Sequence, residues 1–193
     1  MGKPIVYIIP GFKHSPQKKE YQVIADLFKA KNFDVVLVAI DWKYKTVSQW
    51  VEQFLTKYYK NENRKKYFFG FSYGAVISFV ASTKVDVEGQ ILCSLSPYFN
   101  EDLAGLFKSW KRMIGKRRIE HFKELKMADL APLVKAETFL LYGTHEGKFI
   151  ELRAKDTYEK LKCKKSLIAV LGSKHDIGNS EYVKQIEKVI SSF

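Results

Sequence analysis

Six short apolar runs punctuate the chain, and stretches with helical spacing lie between them. The runs cover residues 5–9, 35–40, 67–69, 91–95, 139–142 and 167–171. Each is continuous rather than alternating, the pattern of strands covered on both faces of a parallel sheet. Val47, Trp50, Val51, Phe54, Leu55 and Tyr58 recur at i, i+3, i+4, i+7, i+8 and i+11, which is one face of a helix. Tyr21, Ile24, Ala25 and Phe28 make a second stripe, with Pro16 suited to the first turn of that helix. Tyr182, Val183, Ile186, Val189 and Ile190 make a third. Strand–helix alternation of this kind predicts an α/β three-layer sandwich on a mostly parallel sheet, joined by right-handed crossovers. No repeat, low-complexity tract or linker interrupts it.

Length and composition narrow the class further. At roughly 100–200 residues per domain, 193 residues imply one domain. Apolar residues make up 46% and aromatics 15%, enough for a sizeable core, which excludes disorder and a disulfide-stapled miniprotein. No apolar run approaches the ~18–20 residues that span a bilayer, and the first is too short for a signal-peptide core. Gly2 precedes Lys3, Pro4, Ile5 and Val6, without the Ser/Thr that myristoylation needs. Cys93 and Cys163 lack metal-ligand spacing, and no Asn-x-Ser/Thr sequon occurs. The expectation is a cytoplasmic protein with no metal.

Thirty-three Lys/Arg against 21 Asp/Glu give a formal net charge of +12. Such an excess favours anionic partners, although a solvated basic surface is its ordinary meaning. Zinc spacing, a helix-turn-helix signal and an aromatic–basic platform are all missing, so no nucleic acid is expected. P-loop and dinucleotide fingerprints are missing too, so no nucleotide cofactor is implied.

One segment breaks the rhythm. Residues 98–130 separate the fourth and fifth runs, and Leu103, Leu106, Phe107, Trp110 and Ile114 mark an apolar helical stripe within them. Gly115 is the expected stop, followed by the basic cluster Lys116, Arg117 and Arg118.

Chemistry enters at Gly70-Phe71-Ser72-Tyr73-Gly74, a G-x-S-x-G placed after one apolar run and before the helical Ala75–Phe79 stretch. A sharp strand-to-helix turn there exposes the Ser72 hydroxyl at the sheet's C-terminal edge, and side chains at 70 and 74 would strike backbone. Such a nucleophile needs an acid after a later strand and a histidine after the last. Glu146 follows the fifth run and His175 the sixth; of the histidines at 14, 121, 145 and 175, only His175 lies beyond both. His175 is the candidate base and Glu146 the candidate orienting acid, with Asp102 the fallback and Asp176 too near His175 in sequence. Backbone N–H groups of Tyr73 and Phe12 are the candidate oxyanion donors, Gly11 permitting the turn that faces Phe12 inward. His14 in the same loop is a candidate substrate contact, though a solvated loop histidine is its commoner meaning.

Ser72, Glu146 and His175, each after its own strand, with Gly11-Phe12 after the first, resemble the α/β-hydrolase superfamily over essentially the whole chain, and its smallest members in particular. The resemblance implies a minimal six-stranded version of that fold, strand order 2-1-3-4-5-6, with residues 98–130 as a helical lid. It departs from the family in Pro10-Gly11, where His-Gly is frequent, and in Ala136, where proline is common. It further implies a serine hydrolase, a carboxylesterase by default, that cleaves esters or thioesters without a cofactor. Lysophospholipase, peptidase and a non-catalytic binding protein are the alternatives. Gly11, His14, Phe107 and Trp110 are candidate substrate residues, for an apolar acyl or aryl group. The basic lid cluster, which includes Lys111 and Arg112, has a solvated face as its ordinary meaning, set against an anionic substrate group or, less favoured, an anionic membrane surface.

Overall fold

The computed structural model describes residues 2–60 and 62–193. Its strands are β1 (Ile5–Ile9), β2 (Asp34–Leu37), β3 (Lys66–Phe71), β4 (Gly89–Cys93), β5 (Glu137–Gly143) and β6 (Lys165–Val170). They form one sheet in the order β2-β1-β3-β4-β5-β6, and every neighbouring pair is parallel. Because successive side chains on a strand point to opposite faces, a continuous apolar run feeds two cores at once. In β1, Ile5, Tyr7 and Ile9 join one core while Val6 and Ile8 join the other.

Among the described residues, eight α-helices flank the sheet: α1 (Lys19–Ala30), α2 (Val47–Lys57), α3 (Tyr73–Ser82), α4 (Lys108–Ile114), α5 (Lys116–Phe122), α6 (Met127–Leu130), α7 (Lys148–Lys160) and α8 (Ser180–Ile190). Helices α1 and α8 pack on one face, burying Tyr21, Ile24 and Phe28 together with Tyr182 and Ile186. Helices α2 and α3 lie on the other, where Trp50 and Phe54 meet Phe68 and Tyr7. Each such apolar side chain stabilises the fold by about 1.5–3 kcal/mol on burial. Among the described residues, no helix is long and apolar enough to cross a membrane.

Four expectations are corrected. The outer strands β2 and β6 are only partly buried, because an edge strand lacks a neighbour on one side. Leu171 falls beyond β6 and is 77% exposed. Pro16 lies in a turn ahead of α1 rather than in its first turn. The stripe expected across 103–114 is not one helix either. Phe107 is the N-terminal cap of α4, and Phe107 and Trp110 face outward against Phe149 of α7, at ring centroid distances of 5.7 and 6.5 Å. Gly115 ends α4 at φ 90° and begins α5, a conformation that favours glycine.

Candidate active site

Parallel register places the site. Phe71 of β3 pairs with Cys93 of β4, and Cys93 with Leu141 of β5, so β3 and β4 end together while β5 runs on to Gly143. Ser72 N–H donates to the Cys93 carbonyl at 2.9 Å, and Ser94 N–H to that of Leu141 at 2.8 Å. Ser72 follows β3 at once and sits at φ 56°, ψ −118°, a strained conformation for a residue with a side chain. The turn is tight because its glycines leave no room. A Cβ on Gly70 would lie 2.4 Å from the Gly74 carbonyl oxygen, and one on Gly74 would lie 2.1 Å from that of Ile9.

His175 arrives on the loop between β6 and α8. The loop is held by His145 N–H donating to the Ser173 carbonyl at 2.9 Å and by Ser173 Oγ donating to Asn179 Oδ1 at 2.9 Å. Asn179 also caps α8 by accepting from Glu181 N–H. His175 Nε2 lies 3.0 Å from Ser72 Oγ, and its Nδ1 lies 2.8 Å from Glu146 Oε2. A carboxylate can only accept, so Nδ1 carries the proton and Nε2 is the acceptor for the Ser72 hydroxyl. The ring packs against Phe71 at a centroid distance of 4.8 Å, tilted by 35°, and Ser72 is only 8% exposed. The Glu146 side chain is wholly buried, and its Oε1 accepts from Gly143 N–H at 2.7 Å, from Ser94 Oγ at 2.8 Å and from the Tyr182 hydroxyl. Such a chain can draw a proton from an attacking alcohol and stabilise the imidazolium that results.

No protein-family model matches the sequence, and no curated protein matches it either. Solved structures do match. Est1E from Butyrivibrio proteoclasticus superposes with a TM-score of 0.82 at 14% identity, over 100% of this chain and 87% of that one. Alpha/beta hydrolase domain-containing protein 10 from mouse matches with a TM-score of 0.82 at 13% identity, over 100% and 90%. An esterase from Pyrococcus furiosus matches with a TM-score of 0.72 at 14% identity, over 99% and 81%. The chain has the α/β-hydrolase fold.

In this α/β-hydrolase fold the loop after β1 lies against the serine. A Cβ on Gly11 would stand 3.5 Å from that of Ser72 and 3.1 Å from the Phe71 ring, so close approach is what position 11 requires. The left-handed residue of the turn is Lys13, at φ 60°, which corrects the conformational role expected of Gly11. The Gly11 N–H is already committed to the Tyr21 hydroxyl at 2.8 Å, which removes it as a substrate donor. Among the described residues, neither the Phe12 nor the Tyr73 N–H is paired with a protein acceptor.

The remaining candidates divide. His14 Nδ1 pairs with the Tyr21 hydroxyl at 2.9 Å, and His14 borders a small cavity on the His175 side with Lys18, Glu20 and Asp176. Burial, aided by Lys18 and His175, lowers its pKa. Phe107 and Trp110 are not brought to the site: the cleft beside it, of about 1010 Å³, is lined instead by Phe12, Trp42, Tyr73, Tyr98, Met113 and Ile114. Asp102 is spent elsewhere, in a two-pronged pair with Arg153 at 2.5–3.1 Å that ties the insertion to α7. Asp176 accepts from Gly178 N–H within its own loop.

Sequence reasoning missed Ser94, Ser96 and Tyr182. Ser96 Oγ lies 3.1 Å from Ser72 Oγ. Ser94 and Ser96 follow a strand flanked by those of the serine and the acid, so strand order was the signal that would have found them. Tyr182 gave none beyond its place in an apolar stripe.

Proposed function

We propose that this chain is a serine hydrolase that cleaves carboxylic esters or thioesters through an acyl-enzyme on Ser72. One observation carries the reading: an unbroken run of hydrogen bonds from Ser72 Oγ through both nitrogens of His175 to a buried, fully engaged Glu146. Ser72 Oγ attacks the carbonyl carbon while its proton passes to His175 Nε2. The carbonyl oxygen gains negative charge and is met by the Phe12 and Tyr73 N–H groups. Collapse expels the alcohol or thiol, which takes the proton from His175. Water then attacks the acyl-serine by the same route and releases the acid, so the steps balance with water as co-reactant. Residues 98–130 cover one wall of the cleft, through Met113, Ile114 and the start of α5. Support also comes from the structural neighbours, among which the Pyrococcus furiosus protein is described as an esterase and Est1E is known with ferulic acid bound.

The test is a fluorophosphonate probe followed by peptide mapping, alongside a panel of nitrophenyl esters and acyl thioesters. Labelling is expected at Ser72, and Ser72→Ala is expected to lower kcat by roughly 10⁴-fold or more. Retention of most turnover by that variant would overturn the assignment.

A further inference from the structure

The cleft of about 1010 Å³ is lined in part by Phe12 and Tyr73, the residues whose N–H groups meet the carbonyl oxygen in the proposed reaction. Its floor is aromatic: Phe12 packs on Trp42 at 5.5 Å and on Tyr73 at 5.0 Å, and Tyr73 on Tyr98 at 4.6 Å between ring centroids. Its rim is cationic, with Lys13, Lys43, Lys45, Lys116, Arg117 and Arg118. The lining holds one carboxylate, Asp41, and Lys45 already neutralises it at 2.5 Å. Burial raises the pKa of both Tyr73 and Tyr98, so the floor stays uncharged.

Arg117 and Arg118 are engaged with backbone carbonyls, which leaves their charge uncompensated. Lys13, Lys43 and Lys116 make no ion pair among the described residues. The ammonium groups of Lys13 and Lys43 rest 5.3 and 5.2 Å above the rings of Phe12 and Tyr44. The smaller cavity on the His175 side mixes Lys18 with Glu20 and Asp176. The cleft is thus lined by net charge of one sign, whereas the smaller cavity is mixed. Low-dielectric walls of one sign concentrate the field and draw in counter-charged solutes.

Resting on the serine-hydrolase reading, we propose that the substrate carries an oxyanionic group, carboxylate or phosphate, which Lys13, Lys43 and Lys116 receive while its apolar portion lies on the aromatic floor. The geometry suits a bifunctional ester: one end placed at Ser72, the other anchored by charge.

Two measurements test this. The first compares kcat/KM for 4-nitrophenyl hydrogen adipate with that for 4-nitrophenyl hexanoate, the same length without the charge. The ratio is expected to exceed about tenfold at 50 mM NaCl, and to fall toward one at 500 mM NaCl as screening shortens the field. It should fall likewise in the Lys13→Gln/Lys43→Gln/Lys116→Gln variant, and hold in Lys188→Gln on α8. The second titrates benzoate, phenyl phosphate and phenol into Ser72→Ala by calorimetry, which needs no working nucleophile. Both anions are expected to bind more tightly than phenol, and the tighter of the two names the preferred headgroup. A ratio near one with no preference for the anions overturns the proposal while leaving the hydrolase reading intact. So does a ratio indifferent to both salt and the triple substitution. Anion binding without turnover of any ester supports the cleft assignment and defeats the hydrolase reading instead.

Discussion

Glu146 is the side chain on which the proposed chemistry turns, and its two oxygens are divided between tasks. One faces His175; the other takes three donors, from Gly143, Ser94 and Tyr182. Those donors hold the carboxylate still without touching the cleft. Tyr182→Phe and Ser94→Ala should therefore each lower kcat about 3- to 10-fold, a loss of roughly 1 kcal/mol in transition-state stabilisation. KM should stay within twofold, and steady-state kinetics on a nitrophenyl ester reads the split. Equal losses in kcat and gains in KM would count against a positioning role. Gly74→Ala tests the turn beneath Ser72. Its Cβ would meet two backbone oxygens, those of Ile9 and Pro10, at 2.1 and 2.6 Å, and neither can swing aside. Loss of at least about 3 kcal/mol is expected, the upper range for overpacked sites, as read by urea midpoint. The glycine spacing announced this crowding before any coordinates did, because only a strand-to-helix reversal makes sense of it.

Among the elements, α5 joins the insertion to the rest of the fold through Arg118. Its Nη2 donates to the Trp42 carbonyl at 2.8 Å and its Nε to that of Lys45 at 3.0 Å. The guanidinium also lies 5.2 Å from the centroids of Phe12 and Trp50. Arg118→Lys cannot keep two carbonyls and two rings at once, so it is not conservative here. It should cost about 1–2 kcal/mol and raise amide exchange over residues 42–45 and 116–122. Unchanged exchange in both segments would refute the tie. The sequence marks Arg118 only as part of a basic cluster with a solvated meaning. Its actual partners come from a loop more than seventy residues earlier, and nothing in local spacing could announce them. Phe107 and Trp110 fail in the opposite sense. Their spacing reads as a buried stripe, yet the helix begins only at Lys108 and turns them outward.

Across the whole molecule, two histidines make stability depend on pH. Burial, aided by neighbouring cations, lowers the pKa of His14 and of His121. In the unfolded chain both titrate near 6.5, so below that pH the unfolded state binds more protons than the folded one. Their contribution is complete above about pH 7 and is lost as pH falls through 6.5 toward their lowered folded values. Urea midpoints should decline from pH 7.5 to 5, and less steeply in His14→Gln/His121→Gln. An identical slope in that variant would exclude these groups as the cause. At this same scale the division between sequence and structure is plain. The sheet order came from the superfamily resemblance. The six strands, the helices α1, α2, α3 and α8 and the residues at the ends of β3, β5 and β6 were legible, because period and turn chemistry are local properties of the chain. The donors behind Glu146, the partners of Arg118 and the cationic cleft were not. Each arises where segments distant in sequence meet, and only close packing of the finished fold selects which side chains share that space.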